Sequence, residues 1–436
     1  MNARPLHTHG EPAPRVAPTA ATPAAAAPAG RPLPKAPVLG WHSLWPRGHS
    51  PLPSVGQLPH RAYTTSGRAA LLSALQQLAL PPGSGVLVPT YHCPTMVAPV
   101  LQAGLTPLYF PIGHDGLPQL DGISAAAAGQ ARAMFVAHYF GLPQSLHAVR
   151  AWCDARGIAL VEDCAHSYFG QAGGRPVGAW GDLATASLSK FFPVSEGGLL
   201  ASAHRPLRPL GLAPAGLRAQ IKGGFSVLEY AHRHGRLAGP SQLLAPLFWL
   251  QNGGSQHQDT TAPPTPEGTA DADEMMTGCD MGRVARAPTW VARALHRTLP
   301  QASIVHRRRR NFQAYIEALA ADPATPTAVR PLVAHLPDGA APYVFPLWVD
   351  SAPLADALYT RLRLAQLPVF RWDRIWPGTP ADPQDSGPVW SRQVVQLLCH
   401  QDLCSADIQQ VIASVRHGHR ALLPTPSSET SRAPSP

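Results

Sequence analysis

Along residues 66–80 the apolar positions fall at 71, 72, 75, 78 and 79, the spacing of one helical face. Thr65 or Ser66 stands where it could cap that helix. Val86-Leu87-Val88, ended by Pro89, reads as a short buried strand, and Leu108-Tyr109-Phe110 and Met134 to Ala137 read the same way. Leu146 to Arg156 is amphipathic and is followed by Gly157, a residue suited to ending a helix. Ile158 to Val161 is a fourth strand. Short apolar strands alternating with helices predict an α/β fold whose mostly parallel sheet is covered on both faces. Further on, Trp290 to Glu317 reads as helix, Tyr343 to Val349 as strand, Leu354 to Leu364 as helix and Pro368 to Phe370 as strand. That is enough for a smaller C-terminal α/β domain.

The periodicity lapses at both ends and once in between. Residues 1–40 are rich in Pro and Ala, residues 423–436 in Ser and Pro, and residues 252–273 carry Gly-Gly-Ser and Pro-Pro-Thr-Pro. The expected organisation is a disordered leader over 1–40, a large domain over 41–275 with an insert near 252–273, a small domain over 276–422, and a loose tail over 423–436. No internal repeat is visible.

Composition narrows the chemistry. Of 35 Lys and Arg residues among 436, only Lys35, Lys190 and Lys222 are lysines. With 50 prolines and long alanine runs, this looks like a coding bias, so the net charge of +9 is weak support for a nucleic-acid partner. Arg307 to Arg310 form a run of four. On a helix such a run covers every face, and no nucleic-acid motif accompanies it, so a solvated helix is expected. No stretch of about 18 apolar residues suggests a membrane span, and the N-terminus lacks the apolar core of a secretory signal. The six cysteines form no CxxC pair, which fits a reduced, cytoplasmic compartment. No metal site is expected.

In a parallel sheet the ligand site lies beyond the carboxyl ends of the strands. Four polar clusters occupy such positions: Thr90-Tyr91-His92, His138, Glu162-Asp163 with His166, and Ser187 to Lys190. Lysine is ordinarily a surface residue. Lys190, however, lies between an apolar run and Phe191-Phe192-Pro193. An amine in apolar surroundings sheds its proton more easily and suits Schiff-base chemistry. Asp163 could cap a helix, or it could hold a protonated ring nitrogen. His166 could be a packing residue or lie beside the same ring. Ser66, Gly67 and Arg68 open a helix whose free N–H groups and added charge could receive an anion.

Taken in order, Thr-Ser-Gly-Arg-Ala-Ala-Leu (65–71), Val-Leu-Val-Pro-Thr-Tyr (86–91), His-Tyr-Phe-Gly (138–141), Val-Glu-Asp-Cys-Ala-His-Ser (161–167), Gly-Asp (181–182), Ser-Leu-Ser-Lys (187–190) and Ser-Glu-Gly-Gly (195–198) resemble the DegT/DnrJ/EryC1/StrS family of sugar aminotransferases. These are fold-type I enzymes dependent on pyridoxal 5'-phosphate. The resemblance covers about residues 60–202. It implies Lys190 as the cofactor-bearing amine, Asp163 at the pyridine nitrogen, and His166 near the ring hydroxyl. It implies Ser66, Gly67 and Arg68 at the phosphate, with Ser187 as its hydroxyl ahead of Thr185 and Ser189. It implies Tyr91 or His92 as the ring stacked on the cofactor, His92 being taken. Arg68, Ser195 and Cys93 depart from the family pattern. The activity implied is transfer of an amino group from an amino-acid donor, glutamate by resemblance, to a keto sugar, nucleotide-linked, as in polysaccharide synthesis, by a homodimer without membrane or nucleic-acid partners. A pyridoxal-phosphate sugar dehydratase and a non-catalytic cofactor-binding paralogue are the alternatives. The former is set aside because such dehydratases carry histidine where Lys190 stands.

Overall fold

The computed structural model describes residues 33–46, 52–246, 248, 271–320, 328–420 and 422. Most of the expected leader, nearly all of the expected insert and the expected tail lie outside those residues.

The first lobe alternates strand and helix. Its elements are β1 (His60–Thr64), α1 (Gly67–Leu78), β2 (Gly85–Pro89), α2 (Pro94–Gln102), β3 (Thr106–Phe110), α3 (Ala125–Gln130), β4 (Ala131–Ala137), α4 (His147–Asp154), β5 (Ala159–Asp163), the two-residue hairpin strands β6 (Gln171–Ala172) and β7 (Arg175–Pro176), β8 (Leu183–Ser187) and β9 (Gly198–Ser202). Seven of these strands form one sheet in the order β1-β9-β8-β5-β4-β2-β3. The five from β8 to β3 are parallel, and β9 runs antiparallel to both β8 and β1. β2, β8 and β9 are buried at every position. This is the continuous apolar signature of strands covered on both faces.

Next come α5 (Leu217–Arg233), α6 (Pro240–Leu243), α7 (Ala272–Gly278), α8 (Trp290–Thr298) and α9 (Gln301–Ala320). The single helix expected over Trp290 to Glu317 is therefore two, separated at Leu299-Pro300. Leu299 is extended, at φ −72° and ψ 137°, as the residue before a proline prefers. The C-terminal lobe holds β10 (Val329–Pro331), β11 (Val344–Val349), α10 (Ala352–Leu364), α11 (Ser386–Gln393), β12 (Val394–Leu398) and α12 (Ser405–Arg420). Its sheet is antiparallel, β10-β11-β12. The strand expected over Pro368 to Phe370 is reduced to one bridge, Phe370 to Gln396.

A core of Phe312, Tyr315, Phe345, Leu358, Val395 and Ile412 belongs to this second lobe. Trp376 and Trp390, by contrast, pack into the core of the first lobe beside Tyr91 and Phe140. Residues 33–40, the end of the expected leader, are folded against the protein. Leu33 and Val38 are buried, and the Val38 N–H donates to Asp402 Oδ2 at 3.0 Å.

Candidate active site

Five strands end at one edge of the large sheet, and the residues after each line a single pocket. Thr65, Ser66 and Gly67 follow β1, Cys93 follows β2, His138 follows β4, Asp163 ends β5 and Ser187 ends β8. The second lobe closes the opposite side with Tyr343, Phe370, Arg371, Trp372 and Gln396. The cavity measures about 460 Å³, within the range of roughly 300–1,000 Å³ usual for small-molecule sites.

Local structure fixes the parts. Ser66 caps α1, its Oγ accepting from the Ala69 N–H at 3.2 Å. Lys190 ends a short 3-10 turn, Leu188–Lys190, directly after β8. That turn is pinned by Leu188 N–H to Gly197 O at 2.9 Å, and Gly197 N–H reaches Thr65 O at 2.6 Å. The Gly197-Gly198 pair is required here. Gly197 sits at φ +125°, and a Cβ on Gly198 would collide with the Ser66 backbone. The two glycines thus bring the lysine turn against the start of α1.

Lys190 and Asp163 line the same cavity. Burial lowers the Lys190 amine from its ordinary 10.5, against the opposing pull of Cys93 and Asp163. Burial also raises the Asp163 carboxyl from 3.8, against the pull of Lys190 and of the Ala165 N–H, which donates to Oδ1 at 2.9 Å. Lys190 Nζ lies 5.1 Å from the centre of the Tyr343 ring. His166 is buried between Tyr343 and Trp372, at centroid distances of 4.5 and 4.6 Å. Burial holds its pKa well below 6.5, with Lys190 adding to the effect. Its Nδ1 accepts from the Phe140 N–H at 3.4 Å.

At the α1 end, Arg68 pairs with Asp280 at 3.0 Å, yet its buried Nε has no hydrogen-bond partner among the described residues. Arg283 pairs with Glu196, and Glu196 also accepts from the Thr289 N–H at 2.7 Å. These two pairs fasten residues 280–289 across the rim.

The site therefore fits a pyridoxal phosphate on its own geometry. It joins a lysine and an acid to a capped helix start with an orphaned guanidinium nitrogen. Gly67 lies beside Ser187, and a Cβ there would come to ordinary contact with Ser187 Cβ, at 3.4 Å. Of the three hydroxyls weighed for the phosphate, Thr185 is fully buried, at hydrogen-bonding distance (3.5 Å) from Glu162 O, and off the cavity wall. Ser187 and Ser189 line the wall.

His92 does not face the pocket, contrary to expectation. It is completely buried, and its ring lies 5.6 Å from that of Tyr109. Nδ1 bonds to Pro89 O at 2.8 Å and Nε2 accepts from Trp376 N–H at 3.0 Å. Burial takes its pKa down to about 4. Tyr91 is equally buried, against Trp372 and Trp390. Cys93, the residue before the Pro that starts α2, lines the wall instead.

The sequence grouped Glu162 with Asp163 but did not show its role. Glu162 is completely buried. It accepts from Gly178, Trp180 and Gly181 N–H at 2.6–2.9 Å and from His138 Nε2 at 2.9 Å. Arg371 and Trp372 line the pocket, and Asp373 does not. Tyr343 could have been suspected only from its place at the head of a strand. Arg308 departs from the solvated face expected of the arginine run: it is wholly buried. A second cavity, about 560 Å³, is walled by Lys35, Pro37 and α5 and meets the first at Ser189, Lys190, Ser195, Tyr343 and Phe370.

The fold is that of aminotransferases. The aminotransferase TlmJ from Streptoalloteichus hindustanus superposes with a TM-score of 0.55 at 21% identity, covering 83% of this chain and 86% of that one. NtdA from Bacillus subtilis, with bound cofactor PMP, superposes with a TM-score of 0.52 at 14% identity, covering 83% and 74%. Residues 55–207 match the model of the DegT/DnrJ/EryC1/StrS aminotransferase family. Over 155 residues the chain is 31% identical to the UDP-N-acetyl-3-dehydro-alpha-D-glucosamine 3-aminotransferase of Acidithiobacillus ferrooxidans, which covers 34% of this chain and 41% of that relative. The chain thus matches about two fifths of that relative's length.

Proposed function

We propose that this protein is a pyridoxal-phosphate-dependent aminotransferase moving an amino group from an amino-acid donor, glutamate by resemblance, to a nucleotide-linked keto sugar. The observation that carries the reading is that Lys190 and Asp163 line one cavity together with the start of α1. The relative named for a UDP-linked 3-dehydro sugar supports the substrate class.

When bound, pyridoxal phosphate supplies an electron sink for charge developing at the carbon that bears the amino group. The chain's own residues do the rest. Asp163 would hold a proton on the ring nitrogen; burial raises its carboxyl pKa, and the charge of Lys190 partly offsets that. Ser66, Gly67 and Arg68 hold the phosphate with Ser187 or Ser189. His166, clamped between Tyr343 and Trp372, would lie beside the bound ring. Lys190 Nζ takes the proton from Cα of the donor, and its lowered pKa brings the neutral, proton-accepting form closer to working pH. Trp372 and Phe370 limit water on the second-lobe side. A homodimer and a cytoplasmic setting belong to the same reading. No helix among the described residues is long and apolar enough to cross a membrane.

The test is the visible absorbance of the full chain with pyridoxal phosphate, before and after glutamate. Bleaching of the cofactor band by glutamate, and formation of an amino sugar from a keto-sugar nucleotide, are expected. Lys190→Ala should lower turnover by about 10²–10⁴-fold. Retained turnover in that variant would sink the assignment. Ammonia release without an amino sugar would favour a dehydratase, and an unchanged spectrum would favour a non-catalytic binder.

A further inference from the structure

The four arginines of α9 do not share one environment. Arg308 is wholly buried, whereas Arg310 is exposed. The Arg308 guanidinium lies where the two lobes meet. Nε donates to Gln401 Oε1 at 2.8 Å, one terminal nitrogen donates to Pro342 O at 2.9 Å and Tyr343 O at 3.2 Å, and the other donates to Lys190 O at 2.6 Å. Its carbon sits 4.4 Å above the Phe191 ring. Gln401 Nε2 donates to Phe191 O at 2.8 Å. Two side chains of the C-terminal part therefore grip the consecutive carbonyls of Lys190 and Phe191.

We propose that Arg308, braced by Gln401, is a positioning residue that holds the Lys190 turn in register with the second lobe, so that the lysine amine meets Asp163 and Tyr343 at a fixed distance. This inference rests on the reading of Lys190 as the reactive amine. The physical ground is the planar fork of arginine, which delivers several donors at set angles. Lysine has one compact ammonium and cannot serve four carbonyl oxygens spread over two lobes. Of Lys190, Arg308 touches only the carbonyl. The groups that face the amine itself are Asp163, Cys93, His166 and Tyr343. Loosening the clasp lets the amine drift toward solvent and away from Asp163. Its proton affinity and its reach to substrate change together.

The experiment uses the full chain and its Arg308→Lys, Arg308→Met and Gln401→Leu variants. Each is first checked by circular dichroism and thermal melting. Lys190 is acetylated with acetic anhydride across a pH series, and the extent is mapped by peptide mass. Three lysines make the site unambiguous. Wild type should show a midpoint below the usual lysine value. Arg308→Lys and Gln401→Leu should move that midpoint upward. In the donor half-reaction Arg308→Lys should lower kcat by about 10- to 100-fold with far less change in KM, the scale of an ångström-sized misplacement. A structural role alone would lower the melting temperature and leave the midpoint in place. If Arg308→Met does not fold, Arg308→Lys and Gln401→Leu decide the matter. Midpoints and kcat that match wild type in both would overturn the proposal. Wild type that takes up no cofactor on Lys190 would instead overturn the underlying reading, so the two failures are distinguishable.

Discussion

Lys190 is set apart less by its own chemistry than by what surrounds it. A buried amine is held below its ordinary pKa because burial penalises the charged form. Such a group binds fewer protons folded than unfolded, so it weakens the fold at low pH. That penalty fades as pH rises through the folded pKa toward 10.5. The melting temperature of Lys190→Met minus that of wild type, measured without cofactor, should therefore fall as pH is raised from neutral toward 10.5. A difference independent of pH would contradict the burial argument. Lys190 and Asp163 stood out as candidates in the chain because Asp163 ends an apolar strand and Lys190 closes the short turn after another. His92 was misjudged because sequence shows that a ring follows β2 but not which way it turns. The proline at the start of α2 gives the pocket to Cys93 and leaves His92 between two backbone partners.

At the scale of elements, Glu162 organises the floor of the site. Side chains alternate along β5, so Glu162 is directed away from Asp163. Its carboxylate collects three backbone N–H groups from the loop after β7 and the ring of His138 after β4. Glu162→Gln puts an amide N–H₂ against donors. It should destabilise the fold by about 2–4 kcal/mol, read as a lower midpoint in urea with unchanged slope. An unchanged midpoint would mean that the loop supports itself. In the sequence Glu162 and Asp163 looked like one acidic cluster. Strand geometry divides them into a buried brace and a pocket acid, and only pairing to β4 and β8 reveals which is which. The expected helix over Trp290 to Glu317 failed at Pro300 for an equally local reason, since Leu299 is pushed into the extended region.

For the molecule as a whole, the second lobe and the segment 33–46 complete what the strand ends begin. Asp402 joins them. It accepts from the Val38 N–H and from His42 Nε2 at 2.8 Å, while His400 Nε2 reaches Pro34 O at 2.8 Å. This segment brings Lys35 to the second cavity beside Lys190, although composition alone had assigned it to a disordered leader. Asp402→Ala leaves a buried N–H without an acceptor, a loss of about 1–3 kcal/mol. Limited proteolysis should then cleave within residues 33–46 faster than in wild type. Equal cleavage rates would show that the apolar contacts of Leu33 and Val38 hold the segment unaided.

The sequence by itself determined the alternation of strand and helix, the edge of the sheet where polar residues gather, and Lys190, Asp163, His166 and the start of α1 as candidates. Each of these is encoded within a few residues, by periodicity and by what ends a strand. Tertiary structure alone decided that His92 is walled off and Arg308 buried, and that Tyr343, Arg371 and Trp372 close the pocket from residues more than a hundred positions away. Side-chain direction at a strand end and burial at a contact between lobes depend on partners distant along the chain, and no local pattern carries them.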